Sequence, residues 1–239
     1  MPLDRPTGAA RLSTAALAAF CLASGGCGRT ATAPDRSAAP PAASASPAPA
    51  PRPEPPSGPP LVVFLGDSLT AGLGLPEGEA YPSLVAAALA AKGKPVRVVN
   101  AGISGDTTSG GLRRLDWLLS QRPAVLVVAL GANDGLRGVP VETTEASLRE
   151  IVTRAKGSGA RVLLCGMLVP PNYGPDYTGR FEELFPKLAK ELGVPLLPFL
   201  LDSVAGVDSL NQADGIHPNA EGQRRVAATV LPRVEELLP

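Results

Sequence analysis

Apolar residues along the chain fall into short unbroken runs, separated by segments in which they recur every three or four positions. The first run, Leu61-Val62-Val63-Phe64-Leu65, lies between Pro60 and Gly66. Five apolar residues without a polar interruption predict a strand covered on both faces, as in a parallel sheet. Four further strands are expected at 96–100, 124–130, 161–167 and 194–200. The 124–130 run is apolar throughout and belongs at the centre of a sheet, whereas Pro195 and Pro198 cannot donate to a ladder and make the last run an edge. Helical spacing appears at 81–92, with Leu84, Val85, Ala88 and Leu89 on one side, and again at Leu112, Leu115, Leu118 and Leu119, a helix that must stop before Pro123. It recurs at 143–156, with Leu148, Ile151 and Val152 inward, at 181–192, and in a last helix opening at Pro218, a favoured first helical position. Strands and helices in regular alternation predict an α/β domain over 61–239, a parallel sheet with helices on both faces.

The chain before Leu61 has a different character. Arg5 and Arg11 precede an apolar segment from Leu12 to Ala23, too short to span a bilayer and laid out like a secretory signal. It ends at Gly25-Gly26-Cys27, which resembles a bacterial lipoprotein cleavage site, although Ser24 stands where Leu is usual. On that resemblance residues 1–27 are a signal region, Cys27 is the lipidated first residue of the mature chain, and Gly28 after it favours the outer membrane. An ordinary signal cut nearby is the alternative. Residues 28–60 are mostly Ala, Pro and Ser, and cannot bury enough apolar area to offset the entropy of ordering them, so they are expected to act as a semi-extended tether.

Composition narrows the function. Net charge is zero and no basic or acidic block points to nucleic acid. Cys21 and Cys27 belong to the signal region, which leaves Cys165 alone in an apolar run, where packing is its expected role.

The polar chemistry sits where the apolar runs stop. The first strand is followed by Gly66-Asp67-Ser68, the second by a stretch from Gly102 through Ser104 and Gly105 to Asp106, and the third by Gly131-Ala132-Asn133-Asp134; Asp214-Gly215-Ile216-His217-Pro218 lies beyond the fifth. In a parallel sheet these tips share one edge, where open α/β folds place their ligands. A Ser hydroxyl needs a base, and His217 is the only histidine in the chain. Asp214, three residues earlier, can accept from the other ring nitrogen, and the amides of Ser68, Gly105 and Asn133 can face an oxyanion. Taken singly, each of these residues is an ordinary turn or capping residue. Their occurrence together, each at a strand end, predicts acyl transfer. Asp67, Asp106 and Asp134 are expected to shape the turns, Trp117 to pack in the core and Arg113 to lie on a solvated face.

These blocks resemble those of the GDSL or SGNH hydrolases. Asn133-Asp134-Gly135-Leu136-Arg137-Gly138, Pro171-Asn172-Tyr173-Gly174 and Tyr81-Pro82 are similar to the bacterial periplasmic esterases with thioesterase, lysophospholipase and arylesterase activity. The resemblance implies a flavodoxin-like three-layer α/β/α sandwich with a five-stranded parallel sheet and neither cofactor nor metal. It implies Ser68 as nucleophile, Asp214 and His217 as the rest of the triad, and Ser68, Gly105 and Asn133 as oxyanion donors, with Gly102 as second choice for Gly105. The substrate groove is expected between 135–140 and 172–177, with Gly135, Leu136, Pro171 and Tyr173 in contact with substrate. The expected substrate is an acyl ester, thioester or lysophospholipid, and the enzyme a monomer in the periplasm. A glycan O-deacetylase and a non-catalytic flavodoxin-like binding module are the rival readings.

Overall fold

The computed structural model describes residues 58–239; the expected signal region, Cys27 and most of the expected tether lie outside them. Five strands, β1 (Leu61–Gly66), β2 (Arg97–Gly102), β3 (Val125–Ala129), β4 (Arg161–Cys165) and β5 (Leu196–Leu197), pair in the order β2-β1-β3-β4-β5, every pair parallel. The first and third strands have no exposed residue, which is why their sequences carry no polar alternation. Phe64 stands in register with Asn100 on one side and Val127 on the other.

Seven helices cover the sheet: α1 (Ser68–Ala71), α2 (Tyr81–Ala91), α3 (Thr108–Ser120), α4 (Ala132–Leu136), α5 (Val141–Gly157), α6 (Pro175–Leu192) and α7 (Ala220–Leu237). Helices α2 and α7 pack together on one face, and α5 packs between α3 and α6 on the other, which makes the three-layer sandwich. Each helix buries the stripe that its apolar spacing marks: Val85 and Leu89 from α2, Leu115 and Leu118 from α3, Leu148, Ile151 and Val152 from α5. Phe64 and Tyr81 meet edge to face with centroids 5.6 Å apart, and both are fully buried; truncating a buried Phe of this kind to Ala costs about 3–5 kcal/mol. Among the described residues no helix is long and apolar enough to cross a membrane.

Several elements depart from the pattern. Strand β2 continues through Gly102, because its residues keep pairing with β1 after the apolar run has ended. Strand β5 shrinks to Leu196 and Leu197 between the two prolines, at the expected edge. Helix α6 starts at Pro175 rather than Phe181: Tyr177, Phe181 and Phe185 follow at four-residue spacing, the first pair stacked at 6.0 Å and the second edge to face at 5.7 Å, and hold the extra turns. The last helix opens at Ala220, not Pro218. Asn219 is its cap, accepting from the backbone N–H groups of Glu221 and Gly222, while Pro218 bridges to Asn211. Trp117 is not in the core; it is 66% exposed, because two residues advance a helix by about 200° and place it opposite the buried Leu115. Cys165 is fully buried, and burial pushes its thiol up to about 12, which suits a packing role.

The strand order reverses between β1 and β3. The crevice outside the carboxyl ends of these two strands is where a doubly wound sheet leaves room for a ligand.

Candidate active site

Ser68 occupies the first position of α1, directly beyond β1. The connection is as short as a strand-to-helix turn can be, and Gly66 permits it: a Cβ there would lie 2.0 Å from Thr70 Oγ1 and 3.1 Å from the Ala129 carbonyl oxygen. Asp67 caps the helix by accepting from Leu69 N at 3.0 Å, and Gly72, at φ +73°, ends it after one turn. From below, Gln223 of α7 accepts from Tyr81 N and donates to the Leu69 carbonyl, at 2.8 and 3.1 Å. Ser68 is thereby held on a short rigid post.

Asp214 and His217 are placed by a local turn. Gly215 takes φ +70°, which lets Asp214 Oδ1 accept from both Ile216 N and His217 N, at 2.9 and 3.0 Å. The other carboxylate oxygen is then aimed at the ring, with Oδ2 2.7 Å from His217 Nδ1. His217 Nε2 lies 2.9 Å from Ser68 Oγ. The two backbone donors, His217 N first and Ile216 N second, followed by the ring, hold the Asp214 carboxyl down to about 2. The turn is fixed in its surroundings by Gln212, whose side chain donates to the Leu73 and Pro218 carbonyls, and by Asn211, which donates to Val204 and Val207.

Asn133 sits in the first turn of α4, across the crevice from Ser68, and its Nδ2 donates to Asp67 Oδ2 at 3.2 Å. A primary amide has a second N–H, which is left for the cavity. Asp67 is fully buried, and burial raises its carboxyl to about 6 against the lowering effect of the Leu69 and Asn133 hydrogen bonds. The two candidate glycines differ in position. Gly102 N–H donates to Asn100 Oδ1 at 3.0 Å, and a Cβ at Gly102 would lie 2.2 Å from Ala71 N, so this residue packs against α1. Gly105 turns at φ +78° and borders the cavity. The N–H groups of Ser68 and Gly105 find no acceptor among the described residues.

Two further side chains anchor this edge. Arg114 of α3 donates to the Gly66 carbonyl at 2.9 Å and the Ala101 carbonyl at 2.6 Å, and pairs with Asp106 at 2.8 Å. It therefore ties the ends of β1 and β2 to one guanidinium. Asp134 accepts from Thr108 N and Thr108 Oγ1 at 2.9 and 2.6 Å, joining α4 to the start of α3. The acidic neighbours of the strand tips pointed to turns, but nothing in the spacing singled out Arg114.

A cavity of about 590 Å³ opens beside Ser68 and His217. Leu136 lines it, but its far wall is Met167, Leu168, Val169 and Pro170, with Phe199 and Leu201 beyond, rather than 172–177. The chain leaving β4 passes the crevice first and turns away only afterwards. Gly135 is buried beneath the wall, where a Cβ would lie 2.1 Å from Val169 Cγ1. Pro171 and Tyr173 stand outside the lining, and the Tyr173 hydroxyl donates to the Leu136 carbonyl at 2.6 Å, bracing the loop that carries Leu136. Among the described residues no three His, Cys, Asp or Glu side chains gather as metal ligands. The arrangement sets a base against a hydroxyl, leaves the N–H groups of Ser68 and Gly105 without acceptors beside it, and holds an apolar cavity alongside.

Residues 64–225 match the GDSL-like lipase/acylhydrolase family. Esterase TesA of Pseudomonas aeruginosa is 43% identical over 178 residues, 74% of this chain and 89% of that protein. A protein of Escherichia coli named thioesterase 1/protease 1/lysophospholipase L1 is 42% identical over 178 residues, 74% of this chain and 84% of its own length. A crystal structure of TesA superimposes with a TM-score of 0.72 at 42% identity, covering 74% of this chain and 99% of that one.

Proposed function

The chain belongs to the GDSL-like lipase/acylhydrolase family and is a carboxylic ester hydrolase of the esterase, thioesterase and lysophospholipase type; we propose that it works by double displacement at Ser68. His217 Nε2 takes the hydroxyl proton as Ser68 Oγ attacks the acyl carbonyl. The oxyanion is met by the N–H groups of Ser68 and Gly105 and by Asn133 Nδ2. The tetrahedral intermediate collapses as His217 returns the proton to the departing alcohol or thiol, leaving an acyl ester on Ser68. Water then attacks that ester with His217 again as base, and the acid is released.

The observation that carries this reading is the unbroken hydrogen-bonded line Asp214 Oδ2, His217 Nδ1, His217 Nε2, Ser68 Oγ, with links of 2.7 and 2.9 Å. Asp214, kept ionised by its two backbone donors, fixes the tautomer with Nδ1 protonated and leaves Nε2 free to accept. The apolar wall from Met167 to Pro170 suits a fatty acyl chain as the acid part of the substrate. We place the catalytic domain at 61–239, with Cys27 as lipid attachment point and 28–60 as its tether in the periplasm.

A fluorophosphonate probe tests the mechanism. Wild-type protein is expected to be labelled at Ser68, and Ser68→Ala to be silent. A folded His217→Ala protein labelled as fast as wild type would remove His217 as the base. Turnover compared across aryl esters, acyl thioesters, lysophospholipids and acetylated sugars assigns the acyl group; preference for acetylated sugars would favour the deacetylase reading.

A further inference from the structure

Seven large apolar side chains are conspicuously exposed among the described residues, and six of them lie on segments that follow the carboxyl ends of the strands. Leu73 follows β1 and α1, Ile103 follows β2, Leu136 ends α4 after β3, Leu168 follows β4, and Val207 and Ile216 lie beyond β5, with exposures from 39% to 51%. Single exposed apolar residues are ordinary; one after every strand, all at the edge where the cavity opens, is a built feature.

Hydrogen bonds hold the backbone of four of these residues. Ile103 N donates to the Gly66 carbonyl at 3.1 Å and Ile216 N to Asp214 Oδ1 at 2.9 Å, while the Leu73 and Leu136 carbonyls accept from Gln212 and Tyr173 at 2.7 and 2.6 Å. Leu73, Leu136, Leu168 and Ile216 line the cavity itself, and Ile103 and Val207 extend the apolar ring on neighbouring strand-end segments.

We propose that this ring docks the enzyme, mouth first, on the surface of a zwitterionic lipid bilayer. Charge decides among the possible occupants. Apart from the buried Asp67 and Asp134 and from Asp106, which pairs with Arg114, the same segments carry Glu77, Glu79, Asp202, Asp208 and the His217-paired Asp214 against Arg137, whose guanidinium is already engaged with the Gly105 carbonyl at 2.8 Å. An acidic rim is repelled by an anionic surface, and a second copy of the chain would bring two such rims together and close both cavities. A neutral lipid surface covers the apolar ring without either cost. Docking at this face does not follow from an anchor at Cys27, since the described chain begins at the opposite end of the sheet, where Pro59 accepts from Arg97 at 3.3 Å. Residues 28–60 would span roughly 30–100 Å between the coil and extended limits, enough for an anchored domain to turn its mouth to the same bilayer. The inference rests on the acyl-ester reading only for what docking achieves, the delivery of lipid acyl esters to Ser68.

The test uses a chain beginning at Gly58, the first described residue, since the solved TesA chain folds with 99% of its length matched by only 74% of this one, and carrying Ser68→Ala so that no lipid is consumed. It is expected to sediment with phosphatidylcholine vesicles at low and high salt alike, and no better when phosphatidylglycerol is added. The pair Ile103→Glu and Val207→Glu, neither of which lines the cavity, should lower partitioning about tenfold or more. With Ser68 retained, the same pair should leave turnover of a soluble short-chain aryl ester unchanged. Trp117→Glu, the seventh exposed residue, on the flank of the molecule, should leave partitioning unchanged. Absence of sedimentation, equal loss with Trp117→Glu, or full binding by the double variant overturns the proposal; a dimer that the double variant dissolves, without vesicle binding, assigns the ring to a second copy instead. Failure of Ser68 labelling would overturn the mechanism and leave vesicle binding as a separate result.

Discussion

The Asn133 side chain donates to Asp67 Oδ2 at 3.2 Å across the crevice between β1 and β3, so the carboxylate that caps the helix of Ser68 also holds the amide opposite it. One group thus sets the relative position of Ser68 and Asn133. If Asn133 serves the oxyanion, Asn133→Ala should lower turnover about a hundredfold to a thousandfold with a smaller effect on ground-state binding. Asp67→Asn, which turns an acceptor into a donor facing Asn133, should lower it less, with KM little changed. Steady-state kinetics on a soluble aryl ester separate the two outcomes; a raised KM at normal turnover would place Asn133 in substrate binding instead.

Asp67 also predicts a pH dependence of stability. Its carboxyl is raised from 3.8 to about 6 by burial, so the folded chain binds this proton more tightly than the unfolded chain. The sign follows directly: its contribution is fully present below about pH 4 and is lost as pH rises to about 6. The size is at most roughly 3 kcal/mol. Urea titrations at pH 4, 5, 6 and 7 (buffer settings spanning about that window) should show an Asp67-dependent decline that disappears in Asp67→Asn. An identical profile in the two proteins would show that the proton is not there.

The proposed triad should behave as a unit. Ser68→Ala and His217→Ala are each expected to lower turnover by about three to six powers of ten, and the double variant to be little worse than either. Additive losses would contradict the shared step. Asp214→Asn should retain more activity than His217→Ala, because its Oδ1 can still accept from Ile216 N and His217 N, and only the ring's orientation and the carboxylate charge behind it are lost.

Arg114 is expected to matter for stability without touching substrate. Arg114→Met would leave the Gly66 and Ala101 carbonyls and the Asp106 carboxylate without their donor. The cost should be about 2–4 kcal/mol in chemical denaturation. Arg114→Lys should recover only part of it, since one ammonium cannot reproduce the planar fork that reaches three acceptors. A loss below about 0.5 kcal/mol would mean that water replaces the guanidinium.

For Cys27, the expected outcome is that the full-length protein takes up labelled fatty acid and stays with membranes through a wash that strips peripheral proteins, whereas Cys27→Ala does neither. A chain beginning at Gly58 should keep full turnover on a soluble aryl ester, because every residue of the line from Asp214 to Ser68 lies beyond it. A full-length protein without the label would leave the segment before Leu61 as an ordinary signal and spacer.

What was legible in the linear order is what local chemistry dictates. A strand buried on both faces must be an unbroken apolar run, so Leu61 to Leu65 and Val125 to Ala129 announce themselves, and the α/β class follows from their alternation with helical spacing. The Asp214 to His217 turn is equally local: one carboxylate, one glycine at positive φ and one imidazole within four residues. Folding had to supply everything that depends on strand order and chain direction. Asp67 reaches Asn133 only because β3 is placed beside β1, and Arg114 finds three acceptors only because β2 ends beside the same strand. The wall at Met167 to Pro170, in place of the later 172–177, reflects the path on which the chain leaves β4. Hydropathy alone assigned Trp117 to the core and could not tell Leu136 or Leu168 from a buried leucine. Exposure is a property of the packed assembly, and the ring of apolar side chains around the cavity exists only once five separate strand ends have been brought to one edge.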